Sequence, residues 1–248
     1  MALIAKEREV VVPGMILAEG MDYLPSSGTY RIDDKIMADQ LGLLMVDRKV
    51  LKIIPLSGRY LPKRNDIVVG KVVDIASSGW RFDINSPYTA MLMLKEASYQ
   101  FVAKTANLSK FYAIEDWACL KVVQVTTQNL IDLSAKGPGL RKLQGGQIIE
   151  VNTHKVPRII GKKGSMVSML KKATDCKIIV GQNGKVWING DPKMEVLVVN
   201  TIKKIERESH IKGLTDRIKQ YLEKKLGKTI DFQVTDDRPD EQTEEQNV

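Results

Sequence analysis

At 248 residues the chain is long enough for two or three compact domains, and its 43% hydrophobic content is ordinary for a soluble globular protein. The apolar run LGLLMV falls far short of the roughly 20 residues that cross a bilayer. The opening MALIAKEREVVV carries charges where a signal peptide holds its apolar core, so a cytoplasmic protein with no membrane partner is expected. Two cysteines, Cys119 and Cys176, lie 57 positions apart with no CxxC pair, which gives little support to a zinc ribbon or a disulfide framework and favours buried, reduced thiols.

Lys and Arg total 38 against 30 acids, a formal +8. The last 14 residues, TDDRPDEQTEEQNV, hold six of the acids and one arginine, so the remainder carries 37 bases and 24 acids, a formal +13. Between Lys136 and Lys172 nine basic residues stand against the single acid Glu150. A field of that sign attracts polyanions, nucleic acid above all. The plainer alternative is a solvated basic face.

Along the first 55 or so residues, short apolar runs (EVVVPGMIL, YLPSSGTYRI, GLLMVDRKVLKIIPL) alternate with turn signals and predict a small all-β unit. An internal echo follows, NDIVVGKVVDI from Asn65 and EDWACLKVVQV from Glu115. Each has an aspartate, a lysine five residues later, then Val-Val, which predicts two comparable strands of one barrel. Between them GWRFDI alternates, with Trp80, Phe82 and Ile84 on one side and Arg81 and Asp83 on the other. NLIDLSAKGPG closes the region, and its short strands fit a small barrel of the OB kind.

From Gln147 the period changes: QIIEV reads as a strand, and Met166, Val167, Leu170 and Ala173 follow helical spacing. CKIIV, GQNG and KVWIN read as a hairpin. Asp191-Pro192 opens a helix with the stripe Met194, Leu197, Val198, Ile202 and Ile205. A last amphipathic helix, TDRIKQYLEKKLG, ends at Gly227, and an acidic, disordered tail is expected after it.

The chemistry concentrates in VPRIIGKKGSMVSML. Gly161 and Gly164 lie too close for a P-loop, and no third glycine completes a dinucleotide fingerprint. Two glycines separated by two residues permit a Cβ-free turn that approaches another backbone closely. The helix after it offers unpaired N–H groups, and Lys162 and Lys163 add cations at the same point. That surface suits the phosphate chain of a single strand.

IIGKKGSMVSML resembles the core of a KH domain, and the β-α-α-β-β-α order around it matches type I. The resemblance implies that Gly161, Lys162, Lys163 and Gly164 clamp about four nucleotides, with Arg158 and Lys155 contacting phosphate upstream. VVGKVVDIASSGWRFDI is similar to the first half of an S1 RNA-binding domain, and IDLSAKG to its closing strand. It implies that Trp80 and Phe82 stack on bases while Arg81 and Lys136 neutralise phosphates; barrel core is the alternative for the two rings. Asn65 and Glu115 depart from that family, where a glycine is common before the aspartate.

A β-rich unit, then S1, then KH, is similar to the KH-bearing RNA-binding cap subunit of the exosome, the archaeal form especially. The expected fold is multidomain β and α+β: an N-terminal β domain (1–58), an S1-type OB barrel (59–146), a type I KH domain (147–232) and the tail (233–248). The resemblance implies single-stranded RNA as ligand, and a hexameric ring of RNase PH-like 3′–5′ exonuclease subunits as partner, with three copies per complex. No nuclease carboxylate cluster, HExxH or nucleophile elbow is present, so no enzyme, metal or cofactor is expected. The other reading is a stand-alone S1/KH protein of translation or ribosome assembly.

Overall fold

The computed structural model describes residues 3–56, 58–99, 108–211 and 213–227; the expected tail, 233–248, lies outside them. The chain forms two compact units that divide between Leu61 and Pro62.

The first unit is all β. One sheet has the order β1 (Val10–Val11), β6 (Gly42–Asp47), β7 (Val50–Pro55), β3 (Leu24–Pro25). The other has the order β2 (Ile16–Glu19), β5 (Lys35–Ala38), β4 (Thr29–Ile32). Strand alternation sends Val11, Leu17, Ile36, Leu44, Leu51 and Ile53 into one shared core.

The second unit begins with the barrel. Strands β8 (Ile67–Ala76), β9 (Gly79–Asp83), β10 (Ala90–Met93), β11 (Trp117–Val125) and β12 (Ile131–Ser134) close on themselves, and β13 (Arg141–Leu143) extends β11. A one-turn helix, α1 (Leu94–Ala97), follows β10. Closure comes from β12, antiparallel to β11 and parallel to β10, the OB-fold connection.

The echoed segments are β8 and β11, and they lie side by side, Val69 opposite Cys119 and Lys71 opposite Trp117. Each is preceded by the same turn. Asp66 accepts from the Lys63 amide (3.2 Å) and Asp116 from the Ala113 amide (2.6 Å). Asn65 (φ +71°) and Glu115 (φ +75°) are both left-handed, which is why glycine is favoured there in related barrels. Asn bears that conformation easily; Glu115 is held in it and pairs with Lys71 across the strands.

The remaining part is α+β. Strands β14 (Gln147–Glu150), β16 (Lys185–Asn189) and β15 (Lys177–Val180) form an antiparallel sheet in that order. Helices α2 (Val156–Ile160), α3 (Ser165–Thr174), α4 (Pro192–Arg207) and α5 (Leu214–Leu226) pack on it. The expected cap holds: Asp191 accepts from the Lys193 amide at 3.1 Å with Pro192 in the first turn. Helix α5 stops at left-handed Gly227, and its Leu214, Ile218 and Leu222 enter the same core as Met169 and Ile205.

The other face of this sheet packs on the barrel around buried Trp187. Ile148, Trp187 and Ile179 are cross-strand partners on one row, and they pack against Val69, Cys119 and Leu143 of the barrel. The GQNG turn between β15 and β16 fastens the joint. Asn183, fully buried, accepts from the Val69 amide (3.2 Å) and donates to the carbonyls of Val69 (2.8 Å) and Ile84 (2.9 Å). Asn85 donates to the Asn183 carbonyl (3.1 Å), and the Gln182 amide to Ile67 (2.8 Å). The barrel and the α+β part are therefore one body. Burial also raises the Cys119 thiol to about 11, so it stays protonated and unreactive at neutral pH.

Candidate nucleic-acid interface

Helix α2 ends in the Gly-Lys-Lys-Gly turn. The Gly161 amide still donates to Pro157 (3.0 Å), but its φ of +78° throws the chain out of the helix. A Cβ at Gly161 would lie 2.7 Å from the Met166 nitrogen, so glycine is required by space as well as by backbone angle. Lys162–Gly164 form a single 3-10 turn in which Lys163 (φ +54°) is left-handed, and Gly164 (φ +78°) is the N-cap of α3. No side chain caps the first amides of α3, and Lys162 and Lys163 are both exposed. The Ser165 amide is taken by the Lys162 carbonyl and the Gly164 amide by Gly161 (3.2 Å), so what attracts an anion here is the positive end of the helix dipole beside two ammonium groups.

Arg158, on the last turn of α2, is exposed beside this turn. Lys155 is committed elsewhere: its ammonium donates to the Glu206 carbonyl at the end of α4 (2.9 Å). On the barrel, Arg81 is half exposed and lies 3.4 Å from Asp74, so its charge is locally compensated. Lys136 is half-buried just beyond β12, its amide donating to Ser134 Oγ (3.1 Å).

Trp80 and Phe82 correct the expectation of stacking aromatics. Both are fully buried. Trp80 Nε1 donates to the Tyr112 carbonyl (3.0 Å), and Tyr112 meets the two rings edge-on at 5.3 and 5.9 Å. The alternation of β9 was legible, but the shared side of Trp80, Phe82 and Ile84 is the inside of the barrel. No base can reach them. Among the described residues, the exposed rings on the barrel are Tyr88, Tyr99 and Phe111, the last lying edge-on to Trp80 at 6.2 Å. Nothing in their local pattern singled them out.

Two further cations were also missed. Arg141, on β13, lies over the Trp187 ring at 5.9 Å and thus crosses from the barrel onto the α+β sheet. Lys171 is on α3, and burial, reinforced by Arg141, lowers its pKa below the ordinary lysine value. The basic surface therefore runs from the GKKG turn along α3 to the barrel.

A closed S1-type barrel joined rigidly to a type I KH fold with an open, basic GxxG turn defines an RNA-binding protein of the S1–KH class. Comparison with known proteins takes this further. Residues 8–57 match the exosome RNA binding protein RRP4 N-terminal domain, 59–122 the RRP4 S1 domain and 146–194 a KH domain. Exosome complex component Rrp4 of Methanothermus fervidus is 44% identical over 89% of this chain and 97% of that protein. Its counterpart in Pyrococcus furiosus is 41% identical over 99% and 95%. A crystal structure of an exosome complex RNA-binding protein superposes with a TM-score of 0.61 at 32% identity, covering 67% of this chain and 97% of that one. The chain belongs to the Rrp4 family of exosome complex components.

Proposed function

We propose that this subunit captures single-stranded RNA and hands it to a ring of RNase PH-like 3′–5′ exonuclease subunits in the cytoplasm, three copies capping one ring. The observation that carries the reading is the exposed GKKG turn at the positive end of α3, with Lys162, Lys163 and Arg158 around it. The subunit is not itself the nuclease: its recognisable modules are S1 and KH folds, which hold RNA. The basic strip through Lys171 and Arg141 gives a path from the turn toward the barrel, where Arg81 and Lys136 lie. Base stacking on the barrel falls to exposed Phe111 and Tyr88. Holding RNA on a rigid cationic surface raises its local concentration at the entrance to the ring.

Gly164→Asp is the clean test of the turn. A Cβ there meets nothing within 4 Å, and although the φ of +78° strains any L residue, Asp bears it better than most; the variant places a carboxylate beside the two lysines, and a thermal melt checks its fold. Affinity for a labelled oligoribonucleotide should fall about tenfold or more at low salt, the loss shrinking as salt rises. Unchanged affinity by fluorescence anisotropy removes the turn from the interface.

The N-terminal unit supports the ring contact. Val10 (54% exposed) pairs with Leu43, and Leu43 with Ile54 (48% exposed), giving an apolar row across the outward face of β1, β6 and β7. Rows of this kind mark protein contacts. Val10→Lys with Ile54→Lys should abolish co-sedimentation with the ring while leaving RNA affinity unchanged. Sedimentation with ribosomal particles instead of the ring would favour a stand-alone role in translation.

A further inference from the structure

The KH match ends at residue 194, and α5 begins at Leu214, so this helix lies outside the recognised module. Between α5 and the GKKG turn there is a cavity of about 570 Å³, within the size range of small-ligand sites. Lys162 and Lys163 line it from the turn, and Lys219 from α5. Ser165 and Thr215 add hydroxyls, while Asp216 is the carboxylate of the lining. Met169 supplies its apolar part.

The composition of this lining selects an anion. The lining holds three lysines against one carboxylate, with two hydroxyls that can donate. Both α3 and α5 open at this cavity without a side-chain cap, so two helix starts add partial positive charge to that of the lysines. Lys219 is held only loosely, 4.0 Å from Glu223 one turn along α5, and is 37% exposed. It can turn toward an incoming oxyanion without breaking a close pair. The volume is ample for a phosphodiester group, and the GKKG lysines form part of the lining.

We infer that this cavity holds a phosphodiester group of the bound single-stranded RNA, with α5 acting as a second wall of the clamp and Lys219 as a phosphate-contacting residue. The inference rests on the reading that the GKKG turn binds RNA. It assigns α5 a role beyond packing: its buried side, Leu214, Ile218 and Leu222, secures the helix, and Thr215 and Lys219 face the ligand.

The test is anisotropy titration of the full chain with a fluorescein-labelled single-stranded oligoribonucleotide across a salt series. Lys219→Gln should weaken binding about threefold to tenfold and reduce the slope of log affinity against log salt by about 0.7, one phosphate contact on a single strand. Asp216→Asn should act in the opposite direction, tightening binding about twofold, because it removes the repelling charge from the lining. Asp216 is exposed, so this second variant keeps the fold even if the first is impaired, and thermal melts of both check it. If Lys162→Gln with Lys163→Gln weakens binding while neither α5 variant moves affinity or slope, the second wall is overturned and the turn alone is the clamp. If none of the variants changes affinity, the RNA role of the turn itself fails, and the inference with it.

Discussion

Asn183→Ala will separate the barrel from the KH fold. Removing this amide leaves the Val69 N–H and the carbonyls of Val69 and Ile84 without their partner, in a joint where Asn183 is fully buried. A buried backbone group left unmatched costs about 1–3 kcal/mol, and three of them together about 3–5 kcal/mol after partial relief by entering water. Urea unfolding followed by tryptophan fluorescence should change from one transition to two, because Trp187 reports the joint and Trp80 the barrel. Asn189→Ala serves as the comparison: its exposed bond to the Gln144 carbonyl (3.2 Å) should be worth less than about 0.5 kcal/mol. A single transition at the original midpoint in Asn183→Ala would mean that the apolar row of Ile148, Trp187 and Ile179 carries the joint alone. Affinity for long RNA should fall in the variant as well, since a path shared between two folds needs them held in register.

The second large effect is at Trp80. Trp80→Ala empties the centre of the barrel and removes the bond to the Tyr112 carbonyl, with an expected loss of about 3–5 kcal/mol. RNA affinity, measured at a temperature where the variant is still folded, should be unchanged within about twofold. Trp80→Phe keeps most of the volume and should cost less, the remainder reflecting the lost N–H donor and the edge-on contact with Tyr112 at 5.3 Å. A stable variant that has lost RNA binding would return Trp80 to the interface and contradict its burial.

These two residues also separate what local pattern reveals from what it does not. The paired segments at Asn65 and Glu115, the Asp191-Pro192 helix start, the Gly227 stop and the glycine turn before α3 were all legible. Each is decided within a few residues, by backbone angle, by a side chain capping its own helix or by apolar spacing along one element. Trp80 and Phe82 were placed on one side of a strand correctly and on the wrong side of the barrel. Alternation gives the two faces of β9, while closure through β12 decides which of them is inside.

Lys155 shows the same boundary for charge: its sequence neighbours are the GKKG residues, but its ammonium is tied to α4, 51 positions away. In GQNG, an asparagine between glycines reads as an exposed hairpin tip, because a turn carries no mark of a partner 114 residues earlier in the chain. The sequence by itself therefore determined the order of modules, their class and the GKKG turn, which rest on short-range geometry and on motif spacing. Only the tertiary structure decided which aromatic rings lie inside the barrel, that the barrel and the KH fold are one body, and that α5 stands across a cavity from the GKKG turn. Those depend on contacts between elements far apart along the chain, whose energy comes from burial and hydrogen bonding that no single segment contains.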